Sequence, residues 1–271
     1  MMATKRKVAK KVSTRKQTAS ASASVQVVEN TDDARRLLKV LCDTSKPIEV
    51  RTAALQSLGA VAFSVANFDS VNADYIAALR EVSTDSHEQL RRRALGILMR
   101  NKDGFAQKKL LNGLKDPTKA LLPPEKALQL LGNDVHAEAY SAARAIVKHP
   151  PNEEAKREAL RLLAADAKSA PLFEKVLRDK KELRENRQLA ASALHSLNPE
   201  KLQQQARKIL KDKSDYADIK ATSLTALEQF GDDAALGKDK ALMQSVTRFK
   251  SSKTPAKYKQ TARRFLSKYG Q

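Results

Sequence analysis

Apolar residues in this chain recur three and four positions apart rather than at every second position, which is the spacing of one face of an α-helix. The first ordered run is "NTDDARRLLKVLCDT", in which Leu37, Leu38 and Leu41 form a stripe. Asn30 or Thr31 can cap it, and Asp32 and Asp33 suit the positive start of the helix. Runs of the same period follow in "SVNADYIAALREV", "GFAQKKLLNGLKD", "DVHAEAYSAARAIVK", "APLFEKVLRDKK" and "NPEKLQQQARKILKDK". All nine prolines fall at or near the edges of such runs, where a missing N–H is tolerated. Asn198-Pro199-Glu200 reads as a cap, a first-turn proline and a favourable acid. No strand-like alternation competes, so the pattern predicts an all-α chain of helices joined by short turns.

Between these runs lies a second kind of helix. In "VRTAALQSLG", Val50, Ala54, Leu55 and Leu58 share a face, and at about 100° per residue Arg51 falls inside that apolar stripe. The same order of apolar, basic, small and Leu positions returns in Leu90-Arg91-Arg92-Arg93-Ala94-Leu95 with Leu98, and in Ala155-Lys156-Arg157-Glu158-Ala159-Leu160 with Leu163. It returns again in Ile219-Lys220-Ala221-Thr222-Ser223-Leu224 with Leu227. Pro123 to Gly132 keeps the apolar places without the base. Aligned from Leu189, the run to Leu197 has Ala190 where the base should be, and Tyr258 to Leu266 is the most degenerate copy. The copies are about 30 to 40 residues apart, the period of a stacked two-helix repeat.

These residues resemble the HEAT repeats, in particular the bacterial HEAT-like arrays whose second helix reads V-R-x-x-A-L-x-x-L-G. The resemblance covers roughly Asn30 to Gly270. It implies a right-handed α-α superhelix, a solenoid of about six to seven helical hairpins over residues 29–271, closed by a basic C-terminal capping repeat. It also implies that Arg51, Arg91, Lys156 and Lys220 reach toward the turn preceding their helix, often to an Asp there. Asp85 and Asp215 supply such carboxylates before Arg91 and Lys220, while no acid at that spacing precedes Lys156.

Composition agrees with packed helices. Hydrophobic residues are 41% of the 271, aromatics only 4%, and there is no Trp, so Leu and Ala fill the core. Cys42 is the single cysteine, which excludes an internal disulfide and fits a small core residue in a reducing compartment. No stretch reaches the roughly 20 apolar residues of a membrane span, and the basic N-terminus lacks the apolar region of a secretory signal. A cytoplasmic location is expected, or a nuclear one in a eukaryote, where "KRKVAKK" reads as a localisation patch; the same segment shares composition with transit peptides.

Charge changes the picture more. Of the net +20, residues 1–24 carry +7 through Lys5, Arg6, Lys7, Lys10, Lys11, Arg15 and Lys16. Residues 248–271 carry +8, including Lys257, Lys259, Arg263, Arg264 and Lys268, with no acid. Residues 1–28 have too few large apolar groups to offset the entropy of ordering and read as a disordered basic tail.

Catalytic patterns fail on inspection. His87-Glu88 opens like H-E-x-x-H but meets Arg91 in the fifth place. "GDDAALGK" has the wrong glycine spacing for a P-loop and no strand before it. His136, His149 and His195 lie on separate segments, and neither G-x-S-x-G nor G-x-G-x-x-G occurs. Glu153 and Glu154 read as helix-start electrostatics. No cofactor, metal or membrane partner is expected. Among HEAT-like enzymes, DNA glycosylases stay the third reading, weakened by the absence of Trp.

Two binding readings precede it. In the first, a monomeric, non-catalytic scaffold presents the outward places of its second helices, Arg92, Arg93, Lys126, Arg157 and Arg161, as a concave, mainly basic surface for an acidic protein. In the alternative, both basic ends bind DNA or RNA through phosphates without reading sequence. Tyr258, Phe265 and Tyr269 share a helical face at the C-terminal end; core packing is the first expectation and base stacking the other.

Overall fold

The computed structural model describes residues 28–61, 68–133, 137–231, 233–251 and 253–270. The basic tail residues Lys5, Arg6, Lys7, Lys10, Lys11, Arg15 and Lys16, and His136, lie outside the described residues, as does the expected disorder of residues 1–28 up to Val27. The described residues form α-helices and two short 3-10 turns, with no strand among them. The chain divides into two compact units, Met1–Ala78 and Leu79–Gln271.

In the first unit α1 (Thr31–Cys42) packs against α2 (Ile48–Val61), and the division between the units falls within α3 (Asp69–Val82). Leu37, Leu38 and Leu41 of α1 are buried, as are Ala54, Leu55 and Leu58 of α2. Asn30 is the cap the sequence offered: its side chain accepts from the amides of Asp32 and Asp33. Phe68 stands edge-on to Tyr75 with ring centroids 5.6 Å apart. Cys42, expected in the core, is half-buried at the end of α1.

The second unit continues with α4 (Glu88–Arg100), α5 (Gly104–Lys115), α6 (Pro124–Leu131), α7 (Ala137–Lys148), α8 (Glu153–Leu163), α9 (Ala170–Arg178), α10 (Arg184–Leu197), α11 (Pro199–Lys211), α12 (Ala217–Phe230), α13 (Asp233–Lys238), α14 (Lys240–Ser251) and α15 (Ala256–Tyr269). Neighbours pair: α5 with α6, α7 with α8, α9 with α10, α11 with α12, and α14 with α15. A second order crosses the first. Helices α4, α6, α8, α10, α12 and α15 each pack on the next, while α9, α11 and α14 do so on the other side. The leucines at the repeated places, Leu90, Leu95, Leu98, Leu128, Leu131, Leu160, Leu163, Leu194, Leu224 and Leu227, are almost fully buried between these contacts. The segment 233–238 of "GDDAALGK" is helical, not a phosphate-binding loop.

One local signature recurs at the turns inside the pairs. Asp43, Asp116, Asp179 and Asp212 each end a helix and accept from the amide two residues on, at 2.9, 3.1, 2.9 and 2.9 Å. Such Asx turns reverse the chain while satisfying a donor the helix end cannot. Asp85 does the same for the His87 amide at 2.8 Å. Prolines act where their missing N–H costs nothing: Pro199 opens α11 beside Asn198, whose side chain accepts from the Lys201 amide at 3.0 Å. Glu153 and Glu154 sit in the first turn of α8, behind the cap Asn152.

Candidate binding surface

The arginine inside the apolar stripe of α2 is buried, only 4% exposed, and its Nε donates to the Leu41 carbonyl at 2.8 Å. Leu41 is the penultimate residue of α1, so the guanidinium satisfies one of the carbonyls that a helix end leaves without an intrahelical partner. Arg187 makes the same bond to Leu177, the penultimate residue of α9, again at 2.8 Å and across the same interval of ten residues. The base of α10 is therefore Arg187, and the alignment that put Ala190 in its place is three residues out of register. Asn186 hid the copy: it takes the apolar place, is fully buried, and donates through Nδ2 to Glu182 at 2.9 Å.

The carboxylates do not come from the turns the sequence implied. Asp215, which precedes Lys220, binds Arg187 through Oδ1 at 2.8 Å and Oδ2 at 2.7 Å. Lys156, with no acid before it, pairs with Glu182 at 2.5 Å. Arg91 takes the Leu121 carbonyl through Nε at 2.5 Å and the Asp85 main-chain carbonyl, not its carboxylate, through Nη1 at 2.6 Å. Arg51, Arg91, Arg187 and Lys220 thus bond main-chain carbonyls before their own helix, as the resemblance implied for Arg51, Arg91 and Lys220. Arg91, Lys156 and Arg187 also reach forward, to the turn that leads into the next helix of their row. Helices on the other side are tied likewise. Arg80 binds Asp103 at 2.6 Å, Arg144 binds Asp166, and Lys211 binds Asp239 at 2.9 Å.

These pairs set the carboxyl groups. Burial pushes the Asp103 carboxyl up, but hydrogen bonds from Arg80 and the Ala106 amide outweigh it and hold it below the ordinary range. Burial likewise pushes the Asp239 carboxyl up, and the hydrogen bonds from Lys211 and the Leu242 amide outweigh it and hold it below the ordinary range. Asp212, bonded first by Lys180 and then by Ser214, is lowered to about 2.

Of the residues expected on the concave surface, Arg92 is exposed, Arg93 half-buried, and neither meets a carboxylate among the described residues. The others are largely spoken for. Lys126 lies 3.4 Å from Glu154, Arg161 is bonded to Glu158, and Arg157 is half-buried with its Nε enclosed and without an acceptor among the described residues. The consecutive packing of α4, α6 and α8 brings the five onto adjoining helices, but the acids interleaved with them reduce the charge they present.

The C-terminal pair is different. Lys257, Arg263, Arg264 and Lys268 are exposed on α15 and Lys259 is half-buried, while Arg248, Lys250 and Lys253 precede them. No acid occurs after Asp239 anywhere in the sequence. The aromatic residues do not add to this surface. Phe265 is fully buried and Tyr269 5% exposed, in a cluster with Leu224, Leu227, Leu242, Val246 and Phe249, against which the half-buried Tyr258 packs. Core packing, the first expectation for them, is what is found. Among the described residues there is no group of three or more His, Cys, Asp or Glu side chains placed to hold a metal ion, and no helix is long and apolar enough to cross a membrane.

Comparison with known proteins adds no further constraint: no family model, no curated protein and no solved structure matches this chain.

Proposed function

We propose that this chain is a HEAT-like α-solenoid, a right-handed superhelix of helical hairpins, that works as a non-catalytic scaffold for an acidic protein partner. The pairing of neighbouring helices, the second order of contact along each side of the second unit, and the recurrence of the Arg51 bond at Arg187 support the architecture. The observation that carries the function is the C-terminal hairpin, whose cations have no acid in their own two helices, while those on α6 and α8 are matched by Glu154 and Glu158. A basic surface with no acid in its own helices favours a polyanion by Coulomb attraction and sets a fast association rate.

Acidic protein is preferred to nucleic acid because Phe265 and Tyr269, whose faces would stack on unpaired bases, are enclosed, and because a carboxylate is the acceptor paired with Lys156 and Arg187. The nucleic-acid reading keeps one favourable observation, the +7 of residues 1–24.

Fluorescence anisotropy separates the two. A labelled glutamate dodecamer and single-stranded and duplex DNA are titrated with the full chain, with a form lacking residues 1–24, and with Arg263→Glu/Arg264→Glu. The scaffold reading expects peptide binding that charge reversal abolishes and truncation spares. Tighter binding of DNA, lost on truncation and falling with a log–log salt slope of about −6 for seven phosphates, overturns it.

A further inference from the structure

The forward pairing of bases has an end. Arg91 is served by the Leu121 carbonyl, Lys156 by Glu182, and Arg187 by Asp215, each from the turn before the following helix of the row. For Lys220 on α12 the corresponding turn is the one before α15, which reads Ser-Lys-Thr-Pro and has no carboxylate. Asp215, in the turn before α12, has both oxygens engaged by Arg187 and its Oδ1 also bonded by the Tyr216 amide at 2.7 Å.

Lys220 is nevertheless 9% exposed, a degree of burial at which an ammonium group requires acceptors. Among the described residues its one hydrogen bond is to the Lys213 carbonyl at 3.3 Å, while the group has three donors. Burial pushes it below the ordinary lysine range despite Asp215 and Asp212, so its positive form is under-compensated. The space in front of it is a cleft of about 260 Å³ lined by Lys211, Lys213, Lys220, Ser245, Arg248 and Asp215. Lys211 is held by Asp239, and Ser245 donates to the Ala241 carbonyl and accepts from Arg248 at 3.3 Å. Lys213, Lys220 and Arg248 remain to meet an anion.

We infer that this cleft is a carboxylate site, in which an acidic side chain of the partner polypeptide occupies the place that Glu182 and Asp215 fill for Lys156 and Arg187. The inference rests on the acidic-partner reading and makes it specific: one Glu or Asp inserts between α12 and α14, and the exposed cations of α15 attract the acidic residues around it. A lone phosphate or a nucleic-acid backbone is the competing occupant. A carboxylate is favoured because two of the three served bases of the series, Lys156 and Arg187, take one, while Arg91 takes a carbonyl of its own chain.

The test is titration of the labelled glutamate dodecamer with the full chain, Lys220→Met, which keeps the buried stem, and Arg248→Gln at the exposed rim. The expected result is at least a tenfold weakening for Lys220→Met and a severalfold weakening for Arg248→Gln, at unchanged helical content. The Lys220 13Cε titration should also move to higher pH when the peptide is added. Peptide binding that both substitutions leave unchanged overturns the cleft while leaving the scaffold reading in place. Absence of peptide binding to the unsubstituted chain overturns both. Displacement of the peptide by inorganic phosphate at lower concentration than by glutarate assigns the cleft to phosphate and overturns the carboxylate.

Discussion

Arg187 and Asp215 are joined by two parallel hydrogen bonds, and their side chains are 0% and 3% exposed. The pair links α10 to the turn before α12, and Arg187 also holds the Leu177 carbonyl. A fork that satisfies a carboxylate and a helix end together is a geometry lysine cannot reproduce. Asp215→Asn leaves a buried guanidinium under-compensated and should cost about 3–5 kcal/mol. Arg187→Met with Asp215→Leu removes both charges and should cost far less than the sum of the single changes. Urea unfolding of the unsubstituted chain, Arg187→Met, Asp215→Leu and the double change checks this, and a coupling energy near zero would contradict it.

Two glycines should respond in opposite directions to the same substitution. Gly96 lies inside α4, and a methyl there would meet Leu130 Cδ2 at 3.7 Å and Arg100 Nη1 at 3.8 Å, ordinary contacts. Helix propensity then decides, and Gly96→Ala should stabilise by up to about 1 kcal/mol. At Gly113 in α5 the methyl would lie 2.8 Å from Ala120 Cα, main chain that must shift. Overpacking of about 1–3 kcal/mol outweighs the propensity gain, so Gly113→Ala should lower the melting temperature. Shifts of the same sign in both variants would show that one of these balances is misjudged.

The chain order of helices was legible because its signals are local. The stripe of Leu37, Leu38 and Leu41, the caps Asn30 and Asn198, and the edge prolines act within a few residues of where they sit. The pairing of charges was not. Glu182 meets Lys156 and Asp215 meets Arg187 across intervals of nearly thirty residues, and which turn lies beside which base depends on how the pairs stack. The acids that offset Lys126 and Arg161 were misweighed as well: Glu154, read as helix-start electrostatics, lies on another helix from Lys126, and Glu158, three residues before Arg161, was not set against it. A usable signal was present in the aspartates at 43, 116, 179 and 212, each ending a helix with an amide acceptor role two residues on. Their spacing marks the repeat independently of the leucines and would have fixed the register at Arg187.

Asp212 makes the acid side of stability testable. Lys180, followed by the amide and hydroxyl of Ser214, lowers its carboxyl from 3.8 to about 2 in the folded chain. Since the folded value is the lower one, the contribution is complete above the unfolded value and is lost as pH falls through the folded one. The side chain is 34% exposed, so the energy involved is small, below about 1 kcal/mol. Lys180→Met should move the Asp212 carboxyl-carbon titration back toward the ordinary carboxylate value and should destabilise at pH near 5 but not near 2. An unmoved titration would mean that the Ser214 bonds alone hold the carboxylate.

The aromatic residues of α15 decide between two uses of the same helix. Phe265 and Tyr269 lie with ring centroids 4.8 Å apart inside the terminal core, and the Tyr269 hydroxyl donates to the Glu228 carbonyl at 3.2 Å. A buried ring contributes through packing, so Phe265→Ala should cost about 3–5 kcal/mol and Phe265→Leu about 1–2 kcal/mol. A ring used as a platform for unpaired bases would instead contribute about 1–3 kcal/mol per base to affinity, with little effect on unfolding. Phe265→Leu separates the two, because it keeps the chain folded while removing the aromatic face. Its melting temperature should fall, and its anisotropy curve with an oligothymidine should overlay that of the unsubstituted chain below the transition. A tenfold loss of oligothymidine affinity at unchanged melting temperature would mean that α15 opens to expose Phe265, and would move the working function of the C-terminal hairpin to single-stranded nucleic acid.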